Sequence, residues 1–231
     1  MKTNSDKKTN EEVKNWCKYV IYTFIFSLIG LLVELIYCST IGEKGFTLGL
    51  LCPIYGICAS ILIRFLKKYK NNKVKTFIYG MIVLTVMEYL ISFTLEALFG
   101  IKFWDYSEMN FIQRINLIHI PLFGVASVII MIIVPFIDEV LQRINKKAIL
   151  VISIILLAII IIEMLFTIWG ITVYNIRVKE QLNGKNYITN NTWIEQFQNK
   201  VFSNKNMQKL FPKMKIVNND GNTVLIKDII N

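Results

Sequence analysis

Apolar residues gather into five long runs separated by short polar stretches, and this alternation organises most of the chain. The runs extend from Tyr19 to Cys38, Leu48 to Leu66, Thr76 to Phe99, Ile115 to Ile137 and Ala148 to Gly170. Each has roughly the 20 residues that a helix needs to cross about 30 Å of hydrocarbon. The expected fold is an all-α polytopic membrane protein with about five transmembrane helices in a domain covering residues 19–174. Residues 1–18 form a polar, Lys-rich leader without a small-residue cleavage site, so the first run reads as a retained signal anchor. Beyond Tyr174 the pattern changes. Thr192 and Glu195 have capping-box spacing, and Trp193, Phe197 and Val201 then recur at helical spacing. Lys215 to Val217 and Thr223 to Ile226 flank Asp220-Gly221, a hairpin-turn dipeptide. Residues 175–231 are therefore expected to form a small soluble α+β tail, packed on the membrane face as amphipathic interfacial helices are.

Composition excludes a lone soluble domain: 54% of the 231 residues are hydrophobic and the mean hydropathy is +0.49. A net charge of +10 ordinarily points to nucleic acid, but the loops account for it. The leader carries Lys2, Lys7, Lys8, Lys14 and Lys18, the second loop Lys67, Lys68, Lys70, Lys73 and Lys75, and the fourth Arg143, Lys146 and Lys147. The alternate loops carry only Lys44, Lys102 and Arg114. By the positive-inside rule the N-terminus is cytoplasmic, and an odd number of spans puts the tail outside. The bilayer, not nucleic acid, is the expected partner. The four cysteines (Cys17, Cys38, Cys52, Cys58) and the single histidine, His119, make neither a disulfide framework nor a zinc-ligand spacing, so no metal or cofactor is expected. Cys38 and Cys52 both fall near the outer surface, where a bridge competes with the commoner free thiols.

Ionisable groups inside spans carry the chemistry, because each costs roughly 2.5–3.5 kcal/mol at a helix centre. Glu88 sits mid-way along the third run, Glu163 just past the middle of the fifth, and Glu34 and Glu96 near the outer ends of the first and third. Each lies on a polar stripe at helical spacing: Thr23, Ser27, Gly30, Glu34 and Tyr37; Thr85, Glu88, Ser92 and Glu96; Glu163, Thr167 and Gly170. Ordinary helix contact explains the hydroxyl and small residues. Snorkelling to water competes with function for Glu34 and Glu96, and Glu88 is the strongest functional candidate. Gly49, Pro53, Gly56 and Ser60 give the second run a small-residue face, and Pro53 marks irregular backbone beside Tyr55 and Gly56. The third loop is crowded with Trp104, Asp105, Tyr106, Asn110 and Arg114. An interfacial aromatic belt accounts for Trp104 and Tyr106. Arg114 is the counter-ion for Asp105, Glu34 or Glu96, and His119 either joins that network or packs as a hydrogen-bonded residue.

Glu34-x-x-Tyr37, Gly45-Phe46, Cys52-Pro53-Ile54-Tyr55-Gly56, Glu88-Tyr89, Glu96-x-x-Phe99-Gly100, Trp104-Asp105-Tyr106-Ser107, Asn110 and Arg114-Ile115 resemble the bacterial family of putative ABC-transporter type IV permeases, the CmpB-like membrane proteins. The resemblance covers about Tyr19 to Pro135. Gln113 stands where the family commonly has Gly, and Lys44 where it commonly has Arg. The resemblance implies a multi-pass protein of a bacterial inner membrane that serves as a transport subunit for an unspecified solute.

The chain has no G-x-x-x-x-G-K-[ST] phosphate loop, so a permease of this kind would need an ATPase subunit in trans. Self-association into a homo-oligomer stays open. Glu34, Glu88, Glu96, Asp105, Arg114, His119 and Glu163 are the candidate substrate- or ion-binding residues, with Tyr37, Pro53, Tyr55, Gly56, Trp104, Tyr106 and Asn110 as motif positions. The rival classes are a membrane enzyme acting on a lipid or envelope substrate, with Asp105 or a glutamate as general acid or base, and a non-transporting sensor or assembly subunit that uses the tail as its contact.

Overall fold

The computed structural model describes residues 4–41, 48–106, 113–184, 192–217 and 223–229, with the side chains of the first helix described from Asn15 to Ile36. Asn110, the side chains of Tyr37 and Cys38, and the Asp220-Gly221 turn lie outside the described residues.

Helix α1 spans Asn4–Ile41, α2 Pro53–Leu66, α3 Lys73–Phe99, α4 His119–Arg143 and α5 Lys146–Leu182. Among the described residues four helical stretches are long and apolar enough to cross a membrane: Asn15–Ile36, Lys73–Phe99, His119–Arg143 and Lys146–Leu182. In α3 only 6% of the most apolar window is buried, as lipid-facing surface requires. The second apolar run differs from its expectation. Leu48 to Cys52 are not helical, and α2 has 14 residues, about 21 Å at 1.5 Å per residue. Pro53 is the cause. It begins α2 at the position where its fixed φ and missing N–H suit a helix start, and the chain before it is tied down by Cys52 N donating to Ser27 O at 3.2 Å. The fifth run lengthens instead: α5 has 37 residues, and the boundary expected at 174/175 falls inside it. Beyond α5 come α6 (Trp193–Val201), α7 (Asn204–Leu210) and strands β2 (Lys215–Val217) and β3 (Thr223–Leu225). Strand β1 is Ile101–Lys102, just after α3.

The chain divides into two compact units. The first comprises Met1–Leu31, Leu51–Thr85 and Ile118–Glu163. Its main core joins Tyr22 and Phe26 of α1 to Ala59, Leu62, Ile63 and Leu66 of α2 and to Met131 and Val134 of α4. The polar stripe of α1 supplies the α1–α2 contact: Thr23 Oγ1 and Ser60 Oγ are 2.8 Å apart, and Gly56 lies against the Thr23 carbonyl and the Ser27 hydroxyl. A second small-residue contact pairs Gly80 of α3 with Ser127 of α4. Close backbone approach through small residues is how helices associate where no hydrophobic force drives them together.

The second unit comprises Leu32–Leu50, Val86–Leu117 and Met164–Asn231. Its core gathers Ile101, Ile171, Tyr174, Val178, Phe202, Met207, Met214, Ile216 and Ile226. The sheet runs β1-β2-β3, all antiparallel, with Ile101 opposite Ile216 and Ile216 opposite Val224. The third loop thus contributes an edge strand to the tail hairpin, a pairing that no local sequence pattern announces. The capping box forms as read, with Thr192 and Glu195 each accepting from the other's backbone N–H at 3.3 Å. Arg177 of α5 donates to Phe202 O at 2.7 Å and to Asn199 Oδ1 at 2.6 Å, setting a guanidinium on the negative end of α6.

Helix α3 ends at Gly100, where φ is +68° and the Gly100 N–H reaches Glu96 O at 2.7 Å. This left-handed turn is what glycine permits. Gly100→Ala meets only Lys179 Nζ at 3.8 Å, so its effect is conformational strain alone. The expected cost is about 1 kcal/mol, read as roughly fivefold faster hydrogen exchange at Ile101.

Candidate functional site

The residues singled out around the third loop come together in the second unit through two ion pairs. Arg114 Nη1 meets Glu96 Oε2 at 2.5 Å, with both side chains about three-quarters buried (24% and 22% exposed). Of the three counter-ions open to Arg114 from sequence, the structure pairs it with Glu96. The guanidinium also lies 5.7 Å from the Phe93 ring centroid, a cation–π distance. Trp104 Nε1 donates to the Arg114 carbonyl at 3.4 Å, and Tyr106 N donates to Gln113 O at 2.9 Å. These bonds fold the loop back so that Arg114, which precedes α4, stands beside the end of α3.

Asp105 takes a partner the sequence reading missed. Its carboxylate is only 2% exposed and lies 3.2 Å from Lys215 Nζ on β2. The signal was absent from the sequence because the partner is 110 residues away and becomes adjacent only when β1 and β2 pair. Asn175 belongs to the same end of the unit, donating from Nδ2 to Phe99 O at 2.7 Å and so satisfying a carbonyl at the end of α3.

Glu34 on α1 and Glu88 on α3 are half-buried and belong to this second unit, as do Glu96, Asp105 and Arg114. One oxygen of Glu88, Oε2, is fully buried. Glu163 and His119 belong to the first unit. Glu163 is half-buried on α5 with Oε1 enclosed, and the His119 ring stands 5.9 Å from that of Phe123. Among the motif positions Pro53 and Gly56 are buried, Trp104 and Tyr106 half-buried, and Tyr55 exposed along one side, its ring against Gly30. Among the described residues no set of three His, Cys, Asp or Glu side chains gathers as metal ligands.

The first unit holds a cluster of its own that sequence reasoning passed over. Asp138, near the end of α4, accepts a short hydrogen bond from the Tyr22 hydroxyl and pairs with Lys18 Nζ at 2.6 Å. An acidic residue one position beyond an apolar run, facing a basic leader, was the available clue. The Lys-rich second loop is exposed apart from Tyr69, which stacks on Tyr79 at 4.6 Å. The hydrogen bond between Lys68 and the Tyr69 phenol is the main influence holding that phenol below its ordinary pKa.

The Glu96–Arg114 pair is partly screened by solvent, so its worth is modest. A double-mutant cycle with Glu96→Gln and Arg114→Met should give a coupling of about 1 kcal/mol in unfolding experiments on detergent-solubilised protein. A coupling near zero would show that the two side chains act independently.

Long apolar helices with carboxylates set among them, joined to a small folded layer of sheet and short helices, define a multi-pass membrane protein. The sequence profile of the family described as Putative ABC-transporter type IV matches residues 21–168, and the chain belongs to that family. No curated protein and no solved structure matches it.

Proposed function

We propose that this chain is the membrane-embedded subunit of an ABC-type transport system in a bacterial inner membrane, driven by an ATPase supplied in trans. The family match over residues 21–168 carries this reading. The 1–18 leader is cytoplasmic and the tail extracytoplasmic, in keeping with the Lys/Arg distribution, an arrangement that takes the 14-residue α2 as a fifth crossing beside the four longer helices. The pairing of β1 with β2 supports part of that arrangement. Any bilayer crossed by both α4 and α5 leaves the third loop and the tail on one side. Glu88, with Glu34, Glu96 and Arg114, lines a polar path for a small or cationic solute in the outer half of the membrane, and the exposed 67–75 loop, with Arg143, Lys146 and Lys147 on the same side, is the surface for the ATPase.

Uptake measured with Glu88→Gln tests the site. A drop of at least tenfold for one solute class is expected, whereas undiminished flux in every class would remove Glu88 from the path. Single cysteines at Lys70, Lys102 and Lys213, labelled in intact cells with an impermeant maleimide, test the topology. Labelling at Lys102 and Lys213 but not Lys70 is expected. Labelling at Lys70 alone would invert the arrangement and turn the motif-bearing loop toward the ATPase.

A second reading, an assembly or sensor subunit that uses its tail as contact, draws on the locking of the tail to the third loop by the sheet and by Asp105–Lys215. Deleting Lys185 to Asn231 without loss of transport would dispose of it. An enzyme using Asp105 as general acid or base is disfavoured, since that side chain is 2% exposed and ion-paired with Lys215.

A further inference from the structure

Helix α6 presents an unusual surface for a segment outside the spanning helices. Trp193 is 77% exposed, and Ile194 and Phe197 are exposed as well. At 100° per residue these three fall within one third of the helix circumference, with Glu195, Gln196 and Asn199 on the other side. The face is held in a fixed direction: Arg177 grips the C-terminal end of α6, the capping box closes its start, and Val201 and Phe202 root it in the core of the second unit.

That exposed face is continuous with the apolar side of a membrane-crossing helix. On α5, Leu165, Ile168, Trp169 and Ile176 are all exposed and share one side of the helix. Phe197 of α6 stacks on Trp169 at 5.8 Å with the rings 15° apart. A bilayer that covers Leu165 and Ile168 therefore reaches α6 at the level of Trp169. The charge around α6 fits the same neighbour. Lys200, Lys205, Lys209 and Lys213 are exposed, while Glu195 is the only acidic residue from 192 to 217.

We infer that α6 is an interfacial anchor: it lies in the headgroup layer of an anionic phospholipid bilayer, with Trp193, Ile194 and Phe197 inserted beside Trp169 and the lysines toward the phosphates. Tryptophan favours this depth because its ring is apolar at one end and carries an N–H at the other. A short amphipathic helix beside basic residues binds through apolar burial plus attraction to anionic lipid. The inference rests on α5 crossing the membrane, as the proposed function requires.

Spin labels on single cysteines at Trp193, Ile194, Gln196, Phe197, Asn199 and Ile168, in a cysteine-free full-length chain, test it in nanodiscs of phosphatidylglycerol and of phosphatidylcholine. Collision with oxygen against a water-soluble nickel chelate reads the depth. In phosphatidylglycerol, labels at 193, 194 and 197 should favour oxygen by several-fold over those at 196 and 199, and the contrast should shrink in phosphatidylcholine. Equal nickel access along α6 with Ile168 still reading lipid would overturn the anchor while leaving the membrane span intact. Exclusion of both probes from 193, 194 and 197 would also overturn it, assigning the face to a protein partner or a second copy. Nickel access at Ile168 itself would refute the span on which the inference stands. A lipid pattern of the same depth in both disc types would overturn the anionic requirement.

Discussion

Replacing Lys215 by Met is expected to open the three-stranded sheet locally, with amides of β1 and β2 exchanging about a hundredfold faster. The change leaves the enclosed Asp105 carboxylate without that ammonium, and breaking one side of a buried ion pair costs about 3 kcal/mol or more. Asp105 is the more enclosed partner, at 2% exposure against 18% for Lys215, so removing the cation does more harm than removing the anion. Asp105→Leu combined with Lys215→Met should recover most of the protection, because an apolar pair of similar volume in such a place is often neutral. Hydrogen exchange followed by mass spectrometry at peptides covering Ile101 and Ile216 checks both variants. Unchanged exchange in Lys215→Met would show that the sheet is held by its backbone and core alone.

Gly56→Val should separate α2 from α1. A Cβ at position 56 runs into the Thr23 carbonyl and the Ser27 hydroxyl, and the first of these is helical backbone that cannot swing aside. Overpacking of this kind costs about 3 kcal/mol at the upper end of its usual range. The readout is a disulfide between cysteines placed at Thr23 and Ser60, whose hydroxyls are 2.8 Å apart in the parent protein. Cross-linking should be nearly complete in the parent background and largely lost in Gly56→Val. Retained cross-linking would mean that the helices repack around the larger side chain.

What was legible in the sequence was whatever repeats locally. Runs of about 20 apolar residues gave α1, α3, α4 and the spanning part of α5. The polar and small-residue stripes of α1 and α2 marked faces for helix contact, though the structure was needed to show that these two meet, and Thr192 with Glu195 marked the start of α6. The boundaries that moved did so for local chemical reasons: Pro53 delayed α2, while α5 ran on past Gly170 because Tyr174 and Val178 still found apolar neighbours in the second unit's core. The ion pairs were half legible. Glu96 and Arg114 were both chosen as candidates, but choosing among three counter-ions required the loop geometry that Trp104 and Tyr106 set. Lys215 could not be chosen at all, since a basic residue in a Lys-rich tail carries no mark of its partner. Strand β1, two residues long, is too short for any alternation to show.

The central strand of the sheet is made more than a hundred residues after its edge strand, and this orders events during synthesis. Until residues 215–225 have emerged and reached the same side as Ile101, β1 lacks the strand it pairs with and Asp105 lacks the Lys215 ammonium. The loop therefore waits, unfinished, while two more membrane helices are inserted. A ribosome that stops early leaves the edge at Ile101 without β2 and the Asp105 carboxylate without Lys215, the kind of unfinished surface that quality-control proteases and chaperones act on. The same pairing that fastens the tail thus also distinguishes a finished chain from an interrupted one.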